Sequence, residues 1–300
     1  EIMVPGYAVE YDMADPLQLH LSLMSKLCPG LFLAGQLNGT SGYEEAAGQG
    51  LVAGINAVHY ARGEAPVHFS REQSFIGVMI DDLVTKGVED PYRMLTARAE
   101  HRLLLRNDNA DQRLTPLAWS IGLASTARWE RLQRKMEFIA HATESLQGSD
   151  IGPNHIASLE SIGTVPVKNK VNLFELMRRP EVSFDQAASL ANLSVPGESM
   201  STRLVAEAKE QVKLAAIYEG YIDIQYRLAK ESSKLDDISI PSDYDYAAVG
   251  GLSYECVEKL SRHRPETAGQ ASRIAGIRPS DIALLVGRLR HLTGGGRRRT

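Results

Sequence analysis

The spacing of apolar residues changes along the first 62 residues from a strand-like run to a helical period. Residues 31–34 form a short apolar run between Gly30 and Gly35, which is typical of a buried strand. After a turn-rich loop, residues 43–60 carry small and apolar side chains at helical spacing and predict a helix. Because each glycine inside a helix costs about 1 kcal/mol relative to alanine, we expect a neighbouring element or a ligand to approach this helix closely.

The pattern beyond residue 63 is mainly helical. Residues 75–80 are apolar throughout and fit either a strand or a helix. Thr115-Pro116 predicts the start of a helix, since proline is favoured at the first helical position. Residues 126–146 predict an amphipathic helix. Its expected core-facing stripe consists of Trp129, Leu132, Met136, Ile139, Ala140 and Thr143.

The remaining segments complete the predicted organisation. Residues 199–234 predict one long helix, and 236–242 predict a linker. The last segment, 243–300, predicts three or four short helices. We therefore expect a mixed fold in which a small α/β piece is followed by a mostly α-helical remainder. The expected domains are 1–62, 63–235 and 236–300.

Composition excludes several classes of protein. Hydrophobic residues make up 43% of the 300, which is enough for a core and excludes wholesale disorder. The net charge of −4 excludes a uniformly basic nucleic-acid binder but allows a basic face. Two cysteines, Cys28 and Cys256, lie far apart and cannot form a disulfide framework, so we expect a reducing compartment. We expect both to be small buried apolar residues.

The chain has no recognisable targeting segment. No apolar run approaches the ~18 residues that span a bilayer, and no signal-peptide pattern is present. We therefore expect a cytoplasmic protein with no membrane partner. Because the chain begins with Glu1, we also expect it to be part of a longer protein.

Two segments are basic although the total charge is near neutral. Residues 93–135 carry a net charge of +5, and residues 259–299 carry +8. Arg98, Arg102 and Arg106 repeat every four residues and would form one stripe on a helix. Because arginine donates two parallel hydrogen bonds to phosphate, the stripe favours contact with an RNA backbone. Surface ion pairs with nearby acidic residues are the alternative.

The most informative segment is the glycine-rich stretch 35–50 (GQLNGTSGYEEAAGQG). A strand, a glycine loop and a helix together can bind a nucleotide cofactor, because glycines let the backbone approach and a helix N-terminus favours negative charge. A reduced flavin develops such charge at its pyrimidine edge. A tight turn that packs a helix on a sheet is the alternative, and both remain open because no GxGxxG motif is present.

Three further patterns have structural alternatives. Asp81-Asp82 could bind a metal, but no His or Cys lies at ligand spacing, and a structural or capping role is expected instead. Residues 108–111 (DNAD) predict a turn with Asx caps. Residues 272–285 have the spacing of a DNA-binding helix-turn-helix, which many helical bundles share.

Several long segments resemble one protein family, in the family's order. They are residues 31–56 (LFLAGQLNGTSGYEEAAGQGLVAGIN), 76–114 (IGVMIDDLVTKGVEDPYRMLTARAEHRLLLRNDNADQRL), 218–225 (YEGYIDIQ), 252–253 (LS) and 269–285 (GQASRIAGIRPSDIALL). They resemble the MnmG (GidA) family of tRNA uridine 5-carboxymethylaminomethyl modification enzymes, while 148–198 matches loosely. The resemblance implies that the chain is the C-terminal half of such an enzyme.

The resemblance also implies a cofactor and its contacts. Residues 1–62 would be the C-terminal end of an α/β, Rossmann-like FAD-binding domain. The family's glycine-rich FAD fingerprint, its NADH site and its reactive cysteines belong to its first half, so no catalytic residue is assigned here. The expected FAD-binding residues are Gln36, Asn38, Gly39, Thr40, Tyr43 and Gln49.

A tRNA contact is implied for the basic segment, and residues 63–235 would be a helical tRNA-binding region. Arg93 and Arg102 match arginines of the family implicated in tRNA binding, although His101 stands where the family usually has Tyr. The expected tRNA-binding residues are Arg93, Arg98, Arg102 and Arg106.

The implied activity needs further components. With the GTPase partner MnmE (TrmE), the intact enzyme would add an aminomethyl-type group at C5 of the wobble uridine, using FAD, NADH and methylenetetrahydrofolate. Residues 236–300 would dock the partner, the family is dimeric, and the 300 residues alone are expected to be inactive. Two alternatives stay open, namely a non-catalytic helical module that binds tRNA or protein, and a helix-turn-helix DNA-binding protein.

Overall fold

The structure, a computed structural model, describes residue 3, residues 12–194 and residues 200–294, with no side-chain description for 292–294. Within these residues the chain is mostly helical and has one small sheet. The elements are α1 (Tyr43–Ala61), α2 (Phe75–Lys86), α3 (Ala110–Ser120), α4 (Thr126–Gln147), β1 (Asp150–Ile151), α5 (Ile156–Ser161), β2 (Val171–Asn172), α6 (Leu173–Leu176), α7 (Phe184–Leu190), α8 (Thr202–Asp236), α9 (Tyr254–His263), α10 (Ala268–Arg273) and α11 (Pro279–Gly294).

The chain divides into two compact units. The first combines residues 1–102 with 227–300, and the second is residues 103–226. This division differs from the three predicted segments, because residues 63–102 share a core with the chain before them. The long helix α8 supplies residues to both units.

The core of the first unit forms around α1 and α2. Helix α2 follows the N-cap residue Ser74, whose hydroxyl accepts a hydrogen bond from the Gly77 N–H, and residues 75–80 are therefore helix rather than strand. A Cβ on Gly77 would lie 2.3 Å from the Ser70 carbonyl oxygen, so glycine is required there. The fully buried residues of this core include Leu19, Leu23, Val52, Ile80, Leu83 and Tyr92.

The predicted buried strand at 31–34 is absent from the described part of the chain. The segment is extended, but its only bridge joins Phe32 to Met24, and Leu31 is 45% exposed. A strand requires a ladder of backbone hydrogen bonds to a neighbour, and within the described residues this segment has one rung.

Helix α1 confirms the predicted helix but not the close approach to its glycines. A Cβ on Gly48 would meet Ile76 Cγ1 at 3.3 Å, whereas a Cβ on Gly50 or Gly54 would meet nothing within 4 Å among the described residues. The packing alternative is therefore wrong for Gly50 and Gly54, which lie on an exposed face, and the approach of a ligand to them stays a prediction.

The second unit is a helical assembly with a two-stranded antiparallel sheet, in which Asp150 pairs with Asn172 and Ile151 with Val171. Helix α3 begins after Asn109, so the predicted helix start at Thr115-Pro116 is wrong and Pro116 lies inside the helix. The predicted Asx cap is also wrong, because the Asn109 side chain makes no capping hydrogen bond, although residues 108–109 do form a turn.

Helix α4 forms as predicted but buries a different face. Met136 is 42% exposed and Ala140 is also exposed, although both were expected in the core. The apolar residues of α4 allow two neighbouring stripes, and packing against α6 and α7 selects one of them. The buried residues of α4 are Leu132, Lys135, Phe138, Ala142 and Leu146.

The predictions for the last third of the chain agree with the structure. Helix α8 confirms the long helix, and α9, α10 and α11 confirm the short ones. The linker at 236–242 contributes Ile240 to the core of these helices. The basic tail at 295–299 lies outside the described residues.

Candidate cofactor and nucleic-acid site

The glycine-rich loop is a 3-10 turn, Gly35–Asn38, followed by residues 39–42 and the start of α1. Gly35 and Gly39 have φ angles of 75° and 76°, which favour glycine. A Cβ on Gly39 would lie 2.5 Å from Val88 Cγ2, so this position also needs glycine for space.

Gln49 holds the loop from inside. Its side chain is fully buried, and Oε1 accepts hydrogen bonds from the Gly35 N–H (3.0 Å) and from Asn38 Nδ2 (2.8 Å). Gln49 Nε2 donates to Thr40 Oγ1 (2.9 Å), and the Thr40 hydroxyl donates to the Gly35 carbonyl (2.7 Å). The side chains of Asn38, Thr40 and Gln49 therefore face the protein and shape the backbone of the loop.

Two other predicted cofactor residues face outward. Gln36 is exposed in the 3-10 turn, and Tyr43 is 92% exposed at the first position of α1. No side chain caps α1, because its N-cap residue is Gly42. The first N–H groups of the helix thus border the same exposed edge.

The loop fits a cofactor through its backbone edge. Asn38 Oδ1 has no hydrogen-bond partner among the described residues, but it is buried with the rest of that side chain and is not part of the exposed edge. The outward side chains of Gln36 and Tyr43 and the uncapped helix start add polar groups beside the loop. These features suit FAD, which carries both donors and partial negative charge.

The structure places the loop beside the arginine segment. The Tyr92 N–H donates to the Gly39 carbonyl (2.8 Å), and Thr40 and Tyr92 form a parallel bridge. Glu45 of α1 is 5% exposed and accepts from the Met94 N–H (2.8 Å). Predicted FAD and tRNA residues, Gly39 and Arg93, therefore lie on adjacent backbone segments.

Glu45 is a site residue that the sequence did not reveal. Its Oε1 also lies 3.4 Å from Arg93 Nε. The Met94 N–H, together with the charge of Arg93, lowers the pKa of the Glu45 carboxyl. Nothing in the sequence distinguishes Glu45 from its neighbour Glu44, which is exposed.

The predicted arginine stripe does not exist as a helix face. Only Thr96–Arg98 forms a 3-10 turn, and Arg102 begins a separate turn. Arg98 lies over the Tyr92 ring, 4.4 Å from its centroid, and donates from Nε to the Arg93 carbonyl (2.9 Å). The backbone N–H groups of Tyr92 and Met94 donate to Gly39 and Glu45, which are distant in sequence, and this pairing is incompatible with a continuous helix.

Three of the four predicted arginines are exposed. Arg93, Arg98 and Arg102 belong to the first unit and are accessible to a ligand. Arg106 belongs to the second unit, where Nε pairs with Asp108 Oδ2 (3.1 Å) and Nη1 donates to the Leu103 carbonyl (2.7 Å). Arg106 therefore has an internal role that the spacing did not predict.

A buried cluster of charges supports the arginine segment. The Arg71 side chain is 8% exposed and pairs with Asp81 (3.0 Å), Asp82 (2.8 Å) and Glu100 (2.7 Å). It also donates to the Arg98 carbonyl (3.4 Å). The structural role predicted for Asp81-Asp82 is thus confirmed.

The cluster extends through Asp82. Its carboxylate also accepts from Lys86 Nζ (2.6 Å) and from the Tyr92 hydroxyl (3.0 Å). Burial alone would raise the pKa of Asp82, but the charges of Arg71 and Lys86 lower it. Burial and the Asp82 charge raise the pKa of Tyr92, so this hydroxyl stays protonated as a donor.

The helix-turn-helix pattern at 272–285 is used for packing. Arg273 pairs with Asp81 (2.7 Å) and Asp236 (2.8 Å), and only 13% of its side chain is exposed. Arg278 pairs with Asp281 in the first turn of α11. These arginines are therefore committed to acidic partners within the protein.

The two cysteines differ. Cys256 is buried, and burial raises the pKa of its thiol to about 11, so the predicted apolar role is confirmed. Cys28 is exposed, so the same prediction is wrong for it. Within the described residues, no group of three or more His, Cys, Asp or Glu side chains is arranged to hold a metal. The described helices include none long and apolar enough to cross a membrane.

Three family models match the chain. "Glucose inhibited division protein A" matches residues 1–65. "tRNA modifying enzyme MnmG/GidA C-terminal helical domain" matches residues 126–226, and the "C-terminal helical bundle" of the same enzyme matches 228–299.

Curated relatives carry the same name. The tRNA uridine 5-carboxymethylaminomethyl modification enzyme MnmG of Syntrophotalea carbinolica is 47% identical over 285 residues, which is 95% of this chain and 45% of the relative. The enzyme of the same name from Heliobacterium modesticaldum is 47% identical over 289 residues, with the same coverage. A solved structure of Aquifex aeolicus GidA superposes with a TM-score of 0.79 at 38% identity, covering 92% of this chain and 43% of that one. The chain thus spans less than half the length of these relatives.

Proposed function

This chain belongs to the MnmG (GidA) family of tRNA-modifying enzymes and matches its C-terminal part, and from that premise we propose that it supplies FAD and tRNA contacts to a wobble-uridine-modifying enzyme. The main observation in support of this proposal is that Gly39–Thr40 pairs with Tyr92, which is next to Arg93. It joins a loop suited to a flavin with an exposed arginine suited to phosphate.

The glycine loop is proposed as part of the FAD site. FAD, when bound, supplies electron-transfer chemistry to the enzyme. Gln36 and Tyr43 would contact the cofactor with their exposed side chains, and Gly39 with its backbone. Asn38, Thr40 and Gln49 would act by holding the loop, since their side chains are bonded to it.

The exposed arginines are proposed as the tRNA contact near the flavin. Arg98 and Arg102 have no ion pair among the described residues, and Arg93 contacts Glu45 through Nε, so each side chain has exposed N–H groups that can donate to phosphate oxygens. Glu45 and Tyr92 orient Arg93 and Arg98 before tRNA binds, because they contact these side chains directly. Arg106 would have to leave Asp108 to bind phosphate, so it is not included in this contact.

The remaining components are proposed from the family. The product would be an aminomethyl-type group at C5 of the wobble uridine, with NADH as reductant and methylenetetrahydrofolate as one-carbon donor. Residues 236–300 would dock the GTPase MnmE, and the enzyme would act as a homodimer. In this proposal the present chain holds FAD, tRNA and the partner, and the residues that transform the uridine are not assigned.

The tRNA contact can be tested with single substitutions. We expect Arg93→Ala and Arg102→Ala each to weaken tRNA binding by the chain and to lower the slope of log Kd against log salt by about 1, since each removes a phosphate contact. Fluorescence anisotropy with a tRNA transcript at several salt concentrations measures both quantities. Arg62→Ala is the matched control, because Arg62 is exposed in the same unit and lies outside the site.

Competition identifies the preferred nucleic acid. We expect unlabelled tRNA to displace labelled tRNA at lower concentration than duplex DNA of similar length. Unchanged tRNA affinity in both arginine variants would show that the assigned contact is wrong. Stronger competition by duplex DNA would instead favour the helix-turn-helix interpretation.

A further inference from the structure

The start of α1 holds a buried carboxylate that contacts the arginine segment. Glu45 is the third residue of the helix and is 5% exposed. Glutamate at this position often bonds back to the N-cap backbone of its own helix. Here Oε1 instead accepts a hydrogen bond from the N–H of Met94 (2.8 Å), 49 residues away, and lies 3.4 Å from Arg93 Nε. Oε2 has no hydrogen-bond partner among the described residues.

The last residue of the glycine loop leaves the space that this carboxylate occupies. A Cβ on Gly42 would lie 1.7 Å from Glu45 Oε2, which is far too close for two non-bonded atoms. The backbone angles of Gly42, φ −84° and ψ 143°, are open to any residue. Glycine is therefore needed at position 42 because of the Glu45 side chain, and any side chain placed there would displace the carboxylate.

The loop and the arginine segment are thus joined at two neighbouring points. The Gly39 carbonyl holds the backbone of Tyr92, and Glu45 holds the next two residues, Arg93 and Met94. The Arg93 side chain remains 59% exposed. An exposed arginine whose backbone and Nε are already held loses less conformational freedom when it binds a phosphate.

We propose that Glu45 is a positioning residue that makes the tRNA contact of Arg93 depend on the shape of the glycine loop. Glu45 holds the Met94 N–H and Arg93 Nε, and glycine at position 42 keeps the carboxylate in place. The inference rests on the proposed function, because it assigns the link between the two binding elements named there.

The alternative is that Glu45 acts only through its charge. A carboxylate beside a phosphate-binding arginine repels tRNA and partly neutralises the arginine, so its removal would strengthen binding. Positioning predicts the opposite result, because Arg93 and the Met94 backbone lose a fixed partner. The sign of the change in tRNA affinity therefore separates the two roles.

The first test removes the carboxylate. We expect Glu45→Ala to raise the Kd of the chain for a tRNA transcript about fivefold, equivalent to about 1 kcal/mol. Glu44→Ala is the matched control, because Glu44 is the exposed neighbour in the same helical turn, and it should leave the Kd unchanged or lower it. Glu45→Gln keeps an acceptor for the Met94 N–H and should give an intermediate Kd. Tighter binding by Glu45→Ala would contradict the proposal.

The second test displaces the carboxylate without removing its charge. We expect Gly42→Ala to raise the Kd about as much as Glu45→Ala. In the Glu45→Ala background it should raise the Kd no further, because the side chain that it displaces is gone. Additive effects would show that position 42 does not act through Glu45. Since alanine is a poorer N-cap than glycine, urea unfolding of each variant verifies that binding is measured on folded protein.

The third test asks whether Glu45 acts through Arg93. In the Arg93→Ala background, Glu45→Ala should change the Kd by less than twofold, whereas a general structural role would keep the full loss. Hydrogen exchange gives a measurement without tRNA, in which the Met94 amide should exchange faster in Glu45→Ala and Gly42→Ala but not in Glu44→Ala.

The outcomes distinguish this inference from the proposed function. If the wild-type chain does not bind tRNA, both are wrong. If Arg93→Ala weakens tRNA binding but Glu45→Ala behaves like Glu44→Ala, the proposed tRNA contact stands and only the positioning role is wrong. A loss in Glu45→Ala and Gly42→Ala that disappears without Arg93 supports the positioning role.

Discussion

At the scale of single residues, the direction of each side chain in the glycine loop decides its role. Side chains that point inward hold the loop, and side chains that point outward are accessible to a ligand. Asn38, Thr40 and Gln49 match the family's cofactor motif, but their side chains bond to one another and to the loop backbone. Gln36 and Tyr43, in the same motif, face outward. The motif therefore combines residues that shape the loop with residues that a cofactor can reach.

Gln49 should be the most sensitive loop residue for stability. Gln49→Ala leaves the Gly35 N–H, Asn38 Nδ2 and the Thr40 hydroxyl short of a buried partner and opens a cavity. We expect a loss of about 2–4 kcal/mol in the free energy of unfolding, since each unsatisfied buried group costs about 1–3 kcal/mol. Urea unfolding of the chain measures this loss. Gln36→Ala, an exposed glutamine of the same loop, should change stability by less than about 0.5 kcal/mol, and equal effects of both substitutions would contradict the assigned roles.

At the scale of elements, a buried charge cluster links α2 to the segment that carries the arginines. Arg71 bonds to Asp81 and Asp82 of α2 and to the Arg98 carbonyl. Arg273 of α10 pairs with Asp81 from the other side. The irregular course of residues 92–100 is thus fixed by partners outside it, which explains why the four-residue spacing of arginines did not produce an α-helix.

Replacing Arg71 should therefore lower the free energy of unfolding. Arg71→Met leaves two buried carboxylates without their main cation, and we expect a loss of about 3–5 kcal/mol, the range for breaking a buried ion pair from one side. Chemical denaturation of the chain measures it, with Arg62→Met as the exposed control. In a double-mutant cycle with Asp82→Asn, the combined loss should be smaller than the sum of the two single losses. Additive losses would show that Arg71 and Asp82 do not stabilise the fold as a pair.

At the scale of the whole molecule, the net charge of −4 is an average over segments of opposite charge, and each of the two units has exposed arginines. The first unit exposes Arg93, Arg98 and Arg102, and the second exposes Arg128 and Arg131. Each unit thus has exposed arginines of its own. Because the chain spans about 45% of its curated relatives, tRNA binding is the part of the proposed activity that we expect it to display by itself.

The chain alone should not turn over the cofactors. With added FAD, NADH, methylenetetrahydrofolate and tRNA, we expect no NADH oxidation above the rate without protein, because the residues that match the family here include no proposed NADH site. The decrease of NADH absorbance measures the rate. The full-length relative from Syntrophotalea carbinolica is the positive control, and sustained oxidation by the 300 residues would contradict the expectation.

Much of the fold follows from local sequence signals. Helical periodicity predicted α1, α4 and α8, because a helix of 19, 22 or 35 residues carries its pattern over many turns. The family motifs likewise singled out the glycine loop and four arginines, whose roles in binding FAD and tRNA stay predictions. Shorter signals gave wrong predictions. The pair Thr115-Pro116 predicted the start of a helix, but α3 begins at Ala110 and contains Pro116.

The sequence by itself thus determined where the main helices lie and to which family the chain belongs. Only the tertiary structure decided which face of α4 is buried, that Gln49 points inward, that Cys28 is exposed and that Glu45 meets Met94, 49 residues away. The physical reason is the sequence separation over which each kind of interaction acts. Periodicity and turn preference act between residues a few positions apart, whereas burial and ion-pair choice, such as that of Arg273 with Asp81 across 192 positions, depend on segments that meet only when the chain has folded.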